Sequence, residues 1–316
     1  MEKPLFELSF TGYGLLCMLA AGAGLAATLP GTLTRRDLGW AAWVRFAVCT
    51  VFFGLLCARL AYVVPDLIMG ILSRNDVILE HNSIYLDAIG SALPALRFWE
   101  GGYALAGAIP GAILGAKLAE KWTGAPRGFF RDQLSLGLPA FLLVERIAGM
   151  ETLYFMEALL ALAVLAVMIV LHIRRRGRDT NGDLLRIFLV IFCLPFAWIE
   201  SFRPLTGHMV IHFVNITQVA AALFGLIPAV RWSVELKRSR ASARTKAVLL
   251  AGGWAAIAAL IGTTVYCIFG MEKDWLDRTL AHVLIAVTLA LTGAIALYIR
   301  HAGQGKGGAA RGARED

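Results

Sequence analysis

The chain is built around nine apolar stretches, each of which approaches the length of a membrane-crossing helix. About 20 apolar residues in a helix span the hydrocarbon core of a bilayer, where the backbone must satisfy its own hydrogen bonds. Hydrophobic residues make up 58% of the 316 residues, more than one water-soluble core could bury. The sequence therefore predicts an all-α, polytopic membrane helical bundle. The predicted helices are 9–30, 41–64, 101–119, 133–150, 152–172, 184–202, 211–230, 247–270 and 280–300.

Basic clusters follow every second predicted helix and indicate how the bundle is oriented. Loops rich in lysine and arginine remain on the cytoplasmic side of a membrane. The connections after the second and eighth helices instead hold more acidic than basic residues. We therefore predict an external N-terminus and a cytoplasmic C-terminus, and we attribute the net charge of +8 to topology rather than to nucleic-acid binding. The clusters are Arg35 and Arg36; Lys121, Arg127 and Arg131; Arg174, Arg175, Arg176 and Arg178; and Arg231, Lys237, Arg238, Arg240, Arg244 and Lys246.

The order of these features predicts four segments. A seven-helix transmembrane core covers 1–232, a basic cytoplasmic linker covers 233–246, an additional helix pair covers 247–300, and a disordered cytoplasmic tail covers 301–316. The glycine-rich composition and mixed charge of the last segment are typical of disorder. The five cysteines have no metal-ligand spacing, so we expect them to pack as small apolar residues, and we expect neither a metal nor a cofactor.

Three glycines recur every four residues in the third predicted helix, at Gly107, Gly111 and Gly115. Residues four apart lie on one face of a helix, and small residues there allow a second membrane helix to approach closely. Pro110 could bend the same segment. The pattern predicts a helix-packing seam.

Ionisable and polar side chains gather at the predicted external ends of the helices. A charged group at membrane depth is costly unless it has a partner or reaches water. Arginine pairs with phosphate through two parallel hydrogen bonds, so this cluster indicates a site for an anionic phospholipid headgroup. Each residue taken alone has an alternative role, either in an ion pair between helices or as a side chain that extends to the membrane surface. The residues are Arg59, Glu100, Glu145, Arg146, Glu157, Glu200, Arg203, His208, His212, Asn215 and Gln218.

Seven short motifs, in order along the chain, resemble those of the prolipoprotein diacylglyceryl transferase family. These membrane enzymes move a diacylglyceryl group from phosphatidylglycerol onto the cysteine of a lipoprotein precursor. The resemblance implies phosphatidylglycerol or a similar anionic phospholipid as one partner, a lipoprotein precursor peptide as another, and a bacterial-type inner (plasma) membrane as the location. The motifs are "GYGLL" (12–16), "CARLAYVV" (57–64), "WEGG" (99–102), "ERIAG" (145–149), "YFMEALL" (154–160), "FAWIESFRP" (196–204) and "ITQV" (216–219).

The chain also departs from the family pattern. Ala106 stands where the resemblance leads us to expect a histidine, and Phe196 stands where the family has its first arginine of helix six. The family has a Gly-Asn-Phe-x-Asn-Gly-Glu stretch after the position of Arg146. In this chain the stretch is shortened to "AGME" (148–151). The family generally stops at seven crossings, so the last two predicted helices have no counterpart in it. These departures put the reaction in doubt more than the fold.

The transfer chemistry assigns roles to the remaining residues. A cysteine attacks as its thiolate, so the reaction needs a base, and the departing glycerol phosphate needs a cation. Arg146, Arg203 and Arg59 could each serve as this cation, and we assign Arg146 and Arg203 to the catalytic set. His208 or His212 could replace the missing base, since imidazole titrates near neutrality, and we assign His212 to the catalytic set. Predicted substrate-binding residues are Tyr13, Arg59, Glu100, Glu157, Glu200 and Gln218.

Two interpretations remain open from the sequence. The first is a membrane transferase of this type, or a relative that uses another phospholipid-derived donor. The second is a catalytically inactive relative that binds phospholipid headgroups and acts through a membrane partner. A transporter is disfavoured, because we expect no buried acidic residue in the cytoplasmic half to complete a path across the membrane.

Overall fold

The computed structural model describes most of the chain. The backbone is described at 3–35, 38–74, 105–147, 152–175, 181–202, 209–211, 214–239, 242–270 and 275–304. Side chains are described at 16–35, 38–61, 105–147, 154–175, 181–202, 217–239, 242–266 and 279–302.

Long helices make up nearly all of the described backbone. Each predicted membrane helix coincides with helical structure, so the prediction of an all-α polytopic bundle is confirmed. The eighth predicted helix consists of two α-helical segments, α8 and α9, joined by a π-helical turn at Val248–Gly252. The helices are α1 (Lys3–Leu33), α2 (Gly39–Arg74), α3 (Leu105–Thr123), α4 (Phe129–Ile147), α5 (Thr152–Arg174), α6 (Asp183–Glu200), α7 (Ile216–Arg238), α8 (Ala243–Ala247), α9 (Gly253–Gly270) and α10 (Trp275–Gln304).

Six segments of the described chain are long and apolar enough to cross a bilayer. The other three predicted crossings are α3, α4 and α6, and each of these helices carries at least three charged residues. The composition and length of the helices thus support a multi-pass membrane protein, while the external N-terminus and cytoplasmic C-terminus stay a prediction. The six segments are Leu16–Leu33, Gly39–Ala61, Tyr154–Arg174, Thr217–Arg238, Ala243–Tyr266 and Thr279–Ala302.

The start of the seventh helix differs from the sequence prediction. We expected a helix from residue 211, but the chain forms two short antiparallel strands, β1 (Met209–Ile211) and β2 (Val214–Asn215), before α7 begins at Ile216. Valine and isoleucine dominate this stretch, and β-branched side chains favour extended backbone over helix. Hydropathy alone therefore placed the helix start too early, and the assignment of Asn215 to a helix was wrong.

The chain forms two compact units, Met1–Leu185 and Arg186–Asp316. In the first unit α2 packs along α3, α1 along α4, and α4 along α5. In the second unit α10 packs against both α7 and α9. The segment boundaries that we drew from the sequence at 232 and 246 stay a prediction. Helical backbone continues to Gln304, so α10 extends into the predicted tail.

The glycine seam predicted on α3 is confirmed. A methyl group added at Gly111 would overlap the Phe53 carbonyl oxygen and would lie 2.8 Å from Cβ of Cys57. Similar overlaps would occur with α2 at Gly107 and Gly115. Such distances are far shorter than carbon atoms tolerate, so the backbones of α2 and α3 are in direct contact. The predicted packing role of the cysteines is confirmed at Cys57, which lies in this seam.

A second seam, which the sequence did not reveal, joins α1 to α4. A Cβ atom added at Gly24 would lie 2.8 Å from the carbonyl oxygen of Gly137, and one added at Gly137 would lie 3.0 Å from that of Gly24. Trp43 then fastens α2 to α1, because its Nε1–H donates to the Thr28 hydroxyl at 3.1 Å. Two backbone contacts therefore hold four helices of the first unit together.

We predict that Gly111→Ala destabilises the protein, because one methyl group must force α2 and α3 apart. Overpacking of this kind costs about 1–3 kcal/mol. Gly22→Ala is the matched control, since nothing lies within 4 Å of its added Cβ. That control should keep or raise stability, because alanine favours a helix by about 1 kcal/mol over glycine. Thermal unfolding of the detergent-solubilised protein measures both effects, and an equal Tm for the two variants would contradict the seam.

Candidate functional site

The candidate site is centred on Arg146, in the last turn of α4. Its Nε atom lies 2.9 Å from Oε2 of Glu145 and 2.8 Å from Oε2 of Glu157, in the second turn of α5. Both contacts are ion pairs by distance, but Nε makes no linear hydrogen bond to either oxygen. The guanidinium carbon also lies 5.0 Å from the centre of the Tyr154 ring, within the range of a cation–π contact. One arginine thus joins the adjacent ends of α4 and α5.

Burial makes this cluster costly to break. Side-chain exposure is 16% for Arg146, 12% for Glu145 and 3% for Glu157. An isolated charge in such surroundings is strongly unfavourable, whereas a cation between two carboxylates is compensated. The position of Arg146 at a helix C-terminus adds a favourable interaction with the helix dipole. This ion pair is the alternative role that the sequence left open for Arg146 and Glu157, and their assignment to a headgroup site stays a prediction.

Three other predicted site residues are buried in the described chain. Arg59 lies on α2 in the first unit and is 6% exposed. It is two residues from the seam residue Cys57, a turn of about 200° around the helix, so it faces away from α3. Glu200, at the end of α6, and Gln218, in the first turn of α7, are buried in the second unit. All three are buried polar groups of the kind that a membrane interior admits only with partners.

The remaining predicted residues cannot be placed as side chains. Glu100, Arg203 and His212 lie outside the described residues, as does His208. Tyr13 is part of α1, but its side chain is outside the described set. Their assignments as catalytic or substrate-binding residues stay predictions. Ala106 lies in the first turn of α3 and is half-buried.

The sequence reasoning missed a serine–histidine pair in the second unit. Nδ1 of His282, on α10, lies 2.9 Å from Oγ of Ser201. The serine hydroxyl donates to the Trp198 carbonyl oxygen at 2.6 Å, so it must accept from the histidine and is not activated as a nucleophile. Trp198 Nε1 in turn donates to the His282 carbonyl oxygen at 3.1 Å. These bonds join α6 to α10. The available sign of the pair in the sequence was His282, a polar residue inside the last apolar stretch.

Our expectation about buried acidic residues was wrong. Glu120, Asp132 and Asp183 are all buried at the end of the first unit that we predict to be cytoplasmic. Each of them has strong partners, since Glu120 pairs with Arg131 and Asp183 with Arg175. The sequence missed them because they lie at the edges of apolar stretches, where acidic residues usually face water. The argument against a transporter therefore cannot rest on missing acids.

Asp132 shows what such a residue does. Its Oδ1 accepts hydrogen bonds from the backbone N–H groups of Leu184 and Leu185 at 2.9 and 3.1 Å, and its Oδ2 accepts one from Gly182 at 3.0 Å. A carboxylate at a helix N-terminus satisfies amides that have no partner within the helix and interacts favourably with the helix dipole. Asp132 therefore caps α6 from α4, which is a structural role and not a step in a transport path.

The helices, the close backbone seams and the compensated charges at helix ends define a polytopic α-helical membrane protein. Residues 4–152 match the family described as prolipoprotein diacylglyceryl transferase. A search of curated proteins and a search of solved structures gave no match.

The matched region covers just under half of the chain and divides the candidate site. Arg59 and Arg146 lie within it, and Glu157, Glu200 and Gln218 lie beyond it. The assignment of the later motifs to the family therefore rests on the short resemblances at 154–219.

We predict that the Arg146–Glu157 pair shows strong coupling in a double-mutant cycle. Arg146→Met and Glu157→Met should each destabilise the protein, because each leaves a buried charge without one partner. The double variant should regain part of that loss, with a coupling free energy of about 1–3 kcal/mol. Unfolding of the protein in mixed micelles measures the four stabilities.

The matched control is the ion pair between Arg186 and Glu235, whose N–O distance is 2.6 Å but whose glutamate is 50% exposed. A pair with this exposure couples by about 0–1 kcal/mol. Additive effects at Arg146 and Glu157, no larger than in the control, would show that the buried pair does not stabilise the helix ends.

Proposed function

We propose that the chain binds an anionic phospholipid such as phosphatidylglycerol at the Arg146 cluster and transfers its diacylglyceryl group to the cysteine of a lipoprotein precursor. The observation that carries the proposal is the buried guanidinium between two carboxylates. Arg146 and Glu145 lie within the region that matches the transferase family, and Glu157 lies five residues beyond it. The shortest contacts of Arg146 to both carboxylates run through Nε. We infer that the two terminal nitrogens bind the phosphate, because a guanidinium fork pairs with phosphate through two hydrogen bonds.

The reaction places specific demands on such a cluster. The cysteine thiolate attacks the glyceryl carbon bonded to the phosphate oxygen, a carbon–sulfur bond forms, and the carbon–oxygen bond breaks. Glycerol phosphate leaves with the electron pair of that bond. A cation held in place before the reaction stabilises this charge without a cost of reorganisation. Glu145 and Glu157 supply that positioning for Arg146.

A base must also remove the thiol proton, and no described residue at the cluster is a histidine. We propose His212 for this step, with Arg203 as the second cation and Tyr13, Arg59, Glu100, Glu200 and Gln218 as binding residues. An inactive relative that keeps the headgroup site and acts through a membrane partner is the competing proposal. Ala106, in place of the expected histidine, favours that second candidate.

A complementation experiment tests the proposed activity. In cells depleted of their own transferase, expression of the chain should restore lipidation of a reporter lipoprotein, measured as a mass increase or a mobility shift. Arg146→Lys keeps the charge but lacks the planar fork, so lipidation should fall by about 10²-fold or more, the loss typical for removal of one transition-state donor. Arg186→Lys, outside the site, should lipidate normally.

The outcome separates the two proposals. A folded protein that retains phosphatidylglycerol on purification without any lipidation would exclude the transferase and support the inactive relative. An Arg146→Lys variant that lipidates like the unchanged chain would exclude Arg146 as the phosphate cation.

The alanine at 106 offers a gain-of-function test. We predict that Ala106→His raises the lipidation rate if the base limits the reaction, because an imidazole would then occupy the position at which the family resemblance leads us to expect it. Ala108→His is the matched control, since this residue is also half-buried but lies about 200° around α3. An increase with both variants, or with the control alone, would argue against a position-specific base at 106.

A further inference from the structure

The segment that joins α7 to α8 concentrates positive charge at one end of the second unit. Residues 231–246, which we call the basic hairpin, hold six basic residues and one acidic residue. Lys246 is half-buried, and Arg240 lies outside the described residues. The hairpin also lies outside the region that matches the transferase family, which ends at 152. The other four basic side chains are exposed, and they are Arg231, Lys237, Arg238 and Arg244.

The short connection keeps the hairpin close to the membrane surface. Both flanking segments, Thr217–Arg238 and Ala243–Tyr266, are long and apolar enough to cross a bilayer. Residues 239–242 connect α7 to α8, and four residues of chain span at most about 14 Å. The basic residues beside this connection therefore lie near the level at which both helices leave the hydrocarbon layer, which is the level of the lipid headgroups.

Local hydrogen bonds order this connection. Nζ of Lys246 donates to the Lys237 carbonyl oxygen at 3.0 Å, in the last turn of α7, where carbonyl groups lack partners within the helix. Oγ of Ser242 accepts from the Thr245 N–H at 3.1 Å and thereby caps the start of α8. The end of α7 is thus joined directly to the start of α8, and the exposed cations at 237, 238 and 244 belong to one short hairpin.

The one acidic residue of the hairpin is compensated by a cation from another helix. Oε1 of Glu235 lies 2.6 Å from Nη1 of Arg186, in the first turn of α6. Arg186 belongs to the same compact unit as the hairpin. The carboxylate therefore does not cancel the charge of the hairpin, and the excess of positive charge at its surface is retained.

Exposed valines lie on the membrane side of the basic residues. Val234 is 39% exposed and precedes Arg238 by one turn of α7, and Val248 is 63% exposed and follows Arg244 by one turn. Residues four apart lie on the same face of a helix, so each arginine has an apolar side chain beneath it. A phospholipid with an anionic headgroup above an apolar chain has the matching chemistry.

We propose that the basic hairpin binds anionic phospholipids of the leaflet that it faces. Lys237, Arg238 and Arg244 contact the headgroup phosphates, and Val234 and Val248 contact the acyl chains. Each basic residue near an anionic membrane surface strengthens binding by about fivefold. The predicted orientation of the chain places this leaflet on the cytoplasmic side, and the surface acts as a lipid anchor for the second unit independently of any transfer reaction.

Photo-cross-linking of the full-length chain in phosphatidylcholine vesicles tests the proposal. The vesicles contain a trace of one of two probes, phosphatidic acid or phosphatidylcholine, each with the same diazirine on an acyl chain near the headgroup. Labelled peptides are identified by mass spectrometry. We expect the phosphatidic acid probe to label 229–250 about 10–100-fold more than the phosphatidylcholine probe does. This excess should fall at high salt, because salt screens exposed charges.

A triple variant ties the excess to the hairpin. Lys237→Gln, Arg238→Gln and Arg244→Gln together remove three charges and keep both valines, so the groups that react with the diazirine are unchanged. Labelling by phosphatidic acid should fall to within about threefold of labelling by phosphatidylcholine. Unchanged labelling by the phosphatidylcholine probe confirms that the variant is folded in the membrane.

The matched control removes one lysine and two arginines from exposed positions of the first unit. It carries Lys121→Gln, Arg127→Gln and Arg174→Gln, so the total charge change is identical. Labelling of the hairpin by phosphatidic acid should change by less than about twofold in this control.

Equal labelling of the hairpin by the two probes overturns the proposal. An equal loss in the two triple variants also overturns it, because that result indicates attraction by the overall charge of the protein. Arg146 is unchanged in every variant and belongs to the first unit. The transferase proposal is measured by lipidation, so either proposal can fail without the other.

Discussion

Helices in a bilayer gain little hydrophobic free energy by meeting each other, because lipid tails are as apolar as their side chains. The first unit therefore depends on direct contact between helix backbones. Glycines at 107, 111 and 115 bring α3 onto α2, and Gly24 and Gly137 bring α1 onto α4. Close backbones increase dispersion contact along the whole length of each helix pair. Four helices thereby form a closely packed frame that carries polar groups at its ends.

The ends of this frame carry the charges, and α4 connects the two ends. Its first turn holds Asp132, which caps α6, and its last turn holds Arg146, which pairs with α5. Pro139 lies between them in the same helix. One helix thus carries a capping carboxylate near its start and a paired arginine near its end.

The sequence predicted the fold better than the site, and the reasons differ. Apolar stretches and the spacing of Gly107, Gly111 and Gly115 report local geometry, so both helices and seam were predictable. The paired strands at 209–211 and 214–215 were not predicted, because hydropathy does not separate an apolar strand from an apolar helix. The sequence grouped Arg146 and Glu157 in one cluster and left an ion pair between helices as an alternative role, and the structure shows that pair. The cap that Asp132 provides for α6 could not have been predicted, since it depends on how distant helix ends pack.

Ala106 lies in α3, the helix whose backbone is in direct contact with α2. It lies one residue before Gly107, so its backbone position is fixed by the seam with α2 whatever side chain it carries. A histidine there would be carried by a helix whose backbone is in direct contact with α2. General acid–base catalysis needs heavy atoms within about 3 Å of the proton that they transfer, so a position on a closely packed helix is well suited to a base. An alanine at 106 leaves the seam intact and supplies no base, so the packing of α2 and α3 does not depend on whether a reaction occurs.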